Sequence, residues 1–170
     1  ADDLLALYTF TGGVAKYVQL LMDEEALTRD KMISAMVRRD SIFLQEGKNM
    51  LVEEFGKEYT SYFSILSSIA RGRNTRAEIE SDVGKEVGGY LTRMERDYGL
   101  IEKAIPIFSK SLTKNMRYAM IDNFLTFWFR FIYKYSYMLE IQGHESLREI
   151  ILRDYDTYSG RILEKYFKDQ

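Results

Sequence analysis

Residues 62–117 read YFSILSSIARGRNTRAEIESDVGKEVGGYLTRMERDYGLIEKAIPIFSKSLTKNMR, and this stretch decides the fold. Tyr62, Ile65, Leu66 and Ile69 repeat at helical spacing, so the segment opens as an amphipathic helix capped by Thr60 or Ser61 and stopped by Gly72. Thr75 with Glu78 three residues on is the capping-box pattern, and it starts a second helix with Ile79 and Val83 inward. Gly84 permits the positive φ of a sharp turn between helices. A third helix over about 87–97 buries Val87, Leu91 and Met94 and leaves Lys85, Tyr90, Arg93, Arg96 and Asp97 outward. The β-branched content and Pro106 of residues 100–108 favour an edge strand, 109–115 form a wing, and 117–121 return. Three helices followed by a basic β-hairpin predict a winged helix-turn-helix.

The same periodicity continues on both sides. Residues 3–10 read as a helix broken by Thr11-Gly12-Gly13, and Val14, Tyr17, Val18 and Leu21 share one face of a second helix over 14–22. Thr28 is an N-cap for 29–39, with Asp30 in the first turn, and a helix over 43–55 ends at Gly56. Asp122 caps a long aromatic helix over 123–139, Gly143-His144 interrupts, and two more helices follow near 146–153 and 158–167. With one proline in 170 residues, the chain is expected to be mainly α. The expected architecture is a helical bundle (1–56), a winged helix-turn-helix with a small β wing (57–121) and an aromatic-rich helical segment (122–170).

Composition narrows function. A hydrophobic content of 46% is ample for a core, and a net charge of −2 argues against a protein that coats nucleic acid indiscriminately. The charge is uneven, however: residues 71–117 carry ten Lys or Arg against seven Asp or Glu, a bias suited to a localised contact. Zero cysteines exclude a disulfide framework, a thiolate zinc site and a cysteine nucleophile. The absence fits a cytoplasmic protein. The longest apolar stretch, 121–141, is interrupted by Asp122, Arg130, Lys134 and Glu140, so no membrane span is expected, and the acidic N-terminus lacks a signal peptide's basic region. A chain opening on alanine reads as a fragment or processed form.

The third helix is a candidate for the major groove, with Lys85, Tyr90, Arg93 and Arg96 contacting double-stranded DNA and Lys110, Lys114 and Arg117 gripping its backbone from the wing. Use of the same module as a protein-docking or autoinhibitory unit stays open, because Glu86, Glu95 and Asp97 dilute the surface and Gly88-Gly89 weaken the helix start. The rings from Phe124 to Tyr137 read as a core helix rather than a base-stacking platform. His144, the single histidine, reads as a surface loop residue, and Glu53-Glu54 and Asp23-Glu24-Glu25 as solvated faces. No catalytic constellation and no metal-ligand set is visible. No G-x-x-x-x-G-K-[ST] phosphate loop occurs in the chain.

Four stretches together resemble the C-terminal half of a prokaryotic P-loop ATPase family of the AAA+/STAND type: TGGVAKYV (11–18), SIFLQEGKNMLVEEF (41–55), the winged helix, and DNFLTFWFRFIY (122–133). In such proteins a nucleotide-binding domain, which this chain lacks, precedes a helical lid and a winged helix. The resemblance implies ATP and Mg in that absent domain, contact of this region with its own ATPase domain, and oligomerisation as an option. Gly12, Gly13 and Tyr17 match a lid motif that usually reads Gly-Gly-x-Pro-x-Tyr near the nucleotide, with Ala15 in place of the proline. The tail 153–167 resembles the opening of a restriction-endonuclease-like domain, in which Glu164 of Gly160-x-x-x-Glu164 is the first acidic residue. The later Asp and Glu-x-Lys elements are not in this sequence, and one carboxylate cannot assemble a metal-dependent nuclease centre. The resemblance therefore implies a regulatory region that couples nucleotide state to DNA or to a partner, with a nuclease-like role ranked last.

Overall fold

The computed structural model describes residues 2–104 and 116–168, with side chains through Glu164. The expected wing tip, with Lys110 and Lys114, lies outside the described residues. The chain is mainly helical with a small two-stranded antiparallel sheet. In order it forms α1 (Asp2–Thr11), α2 (Ala15–Asp23), α3 (Arg29–Val37), α4 (Phe43–Phe55), α5 (Tyr59–Ala70), α6 (Arg76–Val83) and α7 (Gly88–Arg96). The sheet strands β1 (Ile101–Ala104) and β2 (Arg117–Met120) follow, then α8 (Asn123–Phe127), a π-helical segment (Trp128–Tyr133), α9 (Ser136–Gln142) and α10 (His144–Lys168).

Local signals account for most boundaries. Thr28 Oγ1 accepts the Lys31 N–H, Asp122 Oδ1 accepts the Leu125 N–H, and Gly84 caps α6 at φ 75°. The start of α5 differs from expectation. A 3-10 turn at Gly56–Glu58 runs directly into Tyr59, whose N–H bonds the Gly56 carbonyl, so Thr60 and Ser61 lie inside the first turn and cap nothing. The two expected C-terminal helices are one. Leu147, Ile151, Tyr155 and Tyr158 are all buried along α10, and that continuous apolar stripe carries the helix through its polar middle.

The aromatic helix is also not uniform. The Lys134 N–H bonds the Phe129 carbonyl five residues back, the signature of a π-turn. One wider turn lets neighbouring rings serve different partners. Trp128 meets α4, Phe129 lies 5.1 Å from Phe63 of α5, and Phe131 lies 5.4 Å from Tyr158 of α10. Phe124, Phe127, Trp128, Phe129 and Phe131 are the inside of the molecule, as their density predicts. Tyr133 and Tyr137, expected in the same core, are exposed because the helix runs out past its buried part. Phe10 of α1 sits 4.9 Å from Phe127, and Tyr158 donates to the Thr9 carbonyl at 2.7 Å. The buried side chains form one cluster drawing on the N-terminal helices, α5–α7 and the C-terminal helices alike.

His144 departs from its surface reading. It is half-buried at the start of α10, with Nδ1 hydrogen-bonded to the Val37 carbonyl at the end of α3. Among the described residues no helix is long and apolar enough to cross a membrane.

Candidate nucleic-acid interface

The geometry of α7 is set from α6. Glu78 accepts the Thr75 N–H at 2.9 Å and the Asn74 N–H at 3.2 Å, while the Thr75 hydroxyl accepts the Glu78 N–H, which completes the capping box. These bonds, the one from the Thr75 backbone foremost, hold the Glu78 carboxyl below its ordinary value. Glu80 links the two helices. Its Oε1 accepts from Arg76 Nε at 2.7 Å and from the Val87 N–H at 3.1 Å, placing a carboxylate at the N-terminus of α7, where the helix dipole favours it. The same two donors, Arg76 first, lower the Glu80 pKa. The Arg76 guanidinium passes so close to Gly88 that a Cβ there would lie 2.9 Å from Cζ. Gly88 is thus a packing position as well as a weak helix former.

With Val87, Leu91 and Met94 in the core, the other side of α7 faces out. Lys85 donates to Ser61 Oγ and lies 4.6 Å from the Tyr90 ring centroid. Arg93 lies 5.1 Å from the same ring and 5.6 Å from the Tyr62 ring, and its guanidinium is 3.4 Å from the Glu58 carboxylate. Lys85, Tyr90 and Arg93 are therefore one cluster, built on α7, the turn before it and the N-terminal end of α5. Arg96 is exposed one turn further on. Glu95 is engaged by Lys103 of β1 at 2.6 Å, which removes one acid from the outer face. Sequence reasoning missed Glu58 and Ser61, which precede α7 by some 30 residues and meet it only through folding. Glu80 carried a faint signal, its i,i+4 spacing from Arg76.

The hairpin is tied to this unit. Ile101 pairs with Met120 and Ala104 with Arg117, and the Tyr118 N–H donates to the Asn74 carbonyl between α5 and α6 at 2.7 Å. Arg117 is exposed at the first position of β2, and its charge contributes to the lowered Glu78 pKa.

The remaining candidates lie elsewhere. Gly12 and Gly13, at φ 64° and 76°, form the α1–α2 turn, where Asn123 donates to the Tyr8 carbonyl. Tyr17 is 4% exposed. Its ring packs 4.3 Å from Phe124, and its hydroxyl donates to Glu46 at 3.2 Å. Burial, then the Glu46 charge, pushes its phenol far above the ordinary value. Glu164 is exposed near the end of α10, and among the described residues no three His, Asp or Glu side chains gather as metal ligands.

Among known proteins, the chain is similar to an uncharacterized protein of Methanocaldococcus jannaschii, with 29% identity over 99% of this chain and 37% of that one. The chain thus spans little more than a third of the length of the curated relative it matches. No family model matches the chain, and no solved structure matches it significantly.

Proposed function

We propose that α5–α7 and the β1–β2 hairpin work as a winged helix-turn-helix that contacts double-stranded DNA. In this reading the region is the regulatory part of a P-loop ATPase whose nucleotide domain, with its ATP and Mg, lies outside this stretch. The observation that carries the reading is the outward side of α7. There Arg93 and Arg96 of α7, with Lys85 of the turn before it, stand outside a helix whose inner side is locked into the core, while Glu95 is turned to Lys103. Cations on a rigid helix beside a hairpin suit phosphate contact, with Tyr90 held between two of them to meet sugar or base. The Glu80 bond to the start of α7 keeps that helix in a fixed orientation, so motion of the attached helices would move it as a body.

A protein-docking role without nucleic acid is the second reading, and the Arg93–Glu58 pair favours it, because a partly neutralised arginine is a weaker phosphate ligand. The two are separated by fluorescence anisotropy with a labelled DNA duplex at several salt concentrations. The DNA reading expects binding that weakens with salt and an Arg93→Ala/Arg96→Ala variant whose log–log salt slope falls by about 0.9 per lost phosphate contact. Absence of binding by the parent at roughly 50 mM salt rejects DNA contact and leaves docking, whereas a double variant that binds like the parent rejects α7 as the contacting element.

A further inference from the structure

A second concentration of positive charge forms at the opposite end of α5. Arg130 and Lys134 of the aromatic helix, Arg161 of α10 and Arg71 at the end of α5 line a cavity of about 570 Å³, with Tyr133 and Ser136 also on its wall. Arg130 and Arg161 also border an adjoining cavity of about 350 Å³. Arg71 is already matched, since it pairs with Asp82 and donates to the Ser67 carbonyl. Among the described residues Arg130, Lys134 and Arg161 form no ion pair. Arg130 Nε is shut away from solvent with no acceptor among the described residues. Asp154 is bonded to Arg153 at 2.8 Å and feels Arg130 and Lys134 only through space.

Three cations that line one cavity without a carboxylate partner among the described residues have an unmet demand for negative charge. Low-dielectric walls focus their field, and an arginine donor without an acceptor is costly. Guanidinium forks and a lysine converging from separate elements match the several oxygens of a phosphate better than a single carboxylate. The volume is that of a small-molecule site rather than of one bound ion. We propose that this cavity binds a small phosphate-bearing anion of two or more negative charges. Arg130 and Arg161 grip its oxygens, Lys134 supplies a point charge, and Tyr133 flanks the non-phosphate part. The site is independent of the α7 cluster, which meets α5 near Ser61, about 15 Å from Arg71 along the helix at 1.5 Å per residue.

Isothermal titration of the full chain with inorganic pyrophosphate, at constant ionic strength, tests the proposal. Saturable binding is expected, weakened about tenfold or more in Arg161→Met and in Lys134→Met, and unchanged in Lys48→Met, which lies outside the cavity. Both cavity substitutions fall on exposed positions, so the test does not depend on Arg130→Met folding. A nucleoside diphosphate in the same titration distinguishes the source: tighter binding than pyrophosphate assigns a nucleotide, and weaker binding assigns an inorganic or non-nucleotide phosphate. The proposal is overturned if pyrophosphate and the nucleotide both fail to bind. Equal binding to the parent, Arg161→Met and Lys134→Met also overturns it, as does a loss in these variants confined to duplex DNA.

Discussion

The indole of Trp128 rests directly on the backbone of Gly47. A Cβ at Gly47 would lie 2.7 Å from Cε2 and closer still to Cδ2 and Cγ, while Nε1 donates to the Leu44 carbonyl at 3.2 Å. This contact seats the π-helical segment on α4 and joins the N-terminal helices to the aromatic core. Gly47→Ala is therefore expected to destabilise the fold by about 1–2 kcal/mol, because overpacking a rigid ring exceeds the gain in helix propensity. Gly89→Ala, where a Cβ meets open space, is expected to stabilise by about 0.5 kcal/mol. Urea denaturation of both variants checks the pair, and equal signs would refute the contact.

Thr75→Ala removes the hydroxyl half of the capping box and should cost about 1 kcal/mol. It also carries a pH signature. The Glu78 pKa is lowered in the fold, so its contribution is present above the ordinary carboxylate value and is lost as pH falls through the lowered one. The parent's stability should therefore decline more steeply than the variant's in acid. Parallel curves from denaturation at a series of pH values would contradict this.

Glu58→Gln releases Arg93 from its carboxylate. Both groups are largely solvated, so stability should change by less than about 0.5 kcal/mol. Under the DNA reading the freed guanidinium strengthens duplex binding severalfold at low salt, measured by anisotropy. Under the docking reading no duplex binding exists to be strengthened.

Tyr158 is buried, with its hydroxyl donating to the Thr9 carbonyl. Burial, more than the neighbouring Tyr155, raises its phenol well above the ordinary value of 10.0. A raised folded pKa means that its stabilising effect is intact below that ordinary value and is lost as pH rises beyond it, since only the unfolded phenol ionises readily. Tyr158→Phe should cost about 1 kcal/mol at neutral pH and should lessen the loss of stability on the alkaline side. Chemical denaturation at neutral and alkaline pH tests both effects.

Much of the candidate site could be read before folding was considered. The Thr75–Glu78 box, the Gly84 turn and the Val87–Leu91–Met94 stripe all depend on residues within four positions of one another. What could not be read is what those elements face. Nothing near Arg93 in the chain announces Glu58, and nothing near Arg130 announces Arg161. Tyr17, chosen for its place in a motif, has a ring packed on Phe124 and a hydroxyl held by Glu46. The break expected between residues 153 and 158 failed for a related reason. Tyr155 and Tyr158 bind the helix to Phe10 and Phe131, outweighing a locally polar stretch.

By itself, then, the sequence determined the mainly helical class, most helix ends and the inward sides of α5 and α7, because caps, turns and amphipathic periodicity act over a few residues. Only the tertiary structure decided the π-turn under Trp128, the unbroken last helix, the cluster around Tyr90 and the cation-lined cavity at Arg130. Each of these arises from side chains far apart in the chain that must share one space. Packing and charge between distant segments, rather than local propensity, set their geometry.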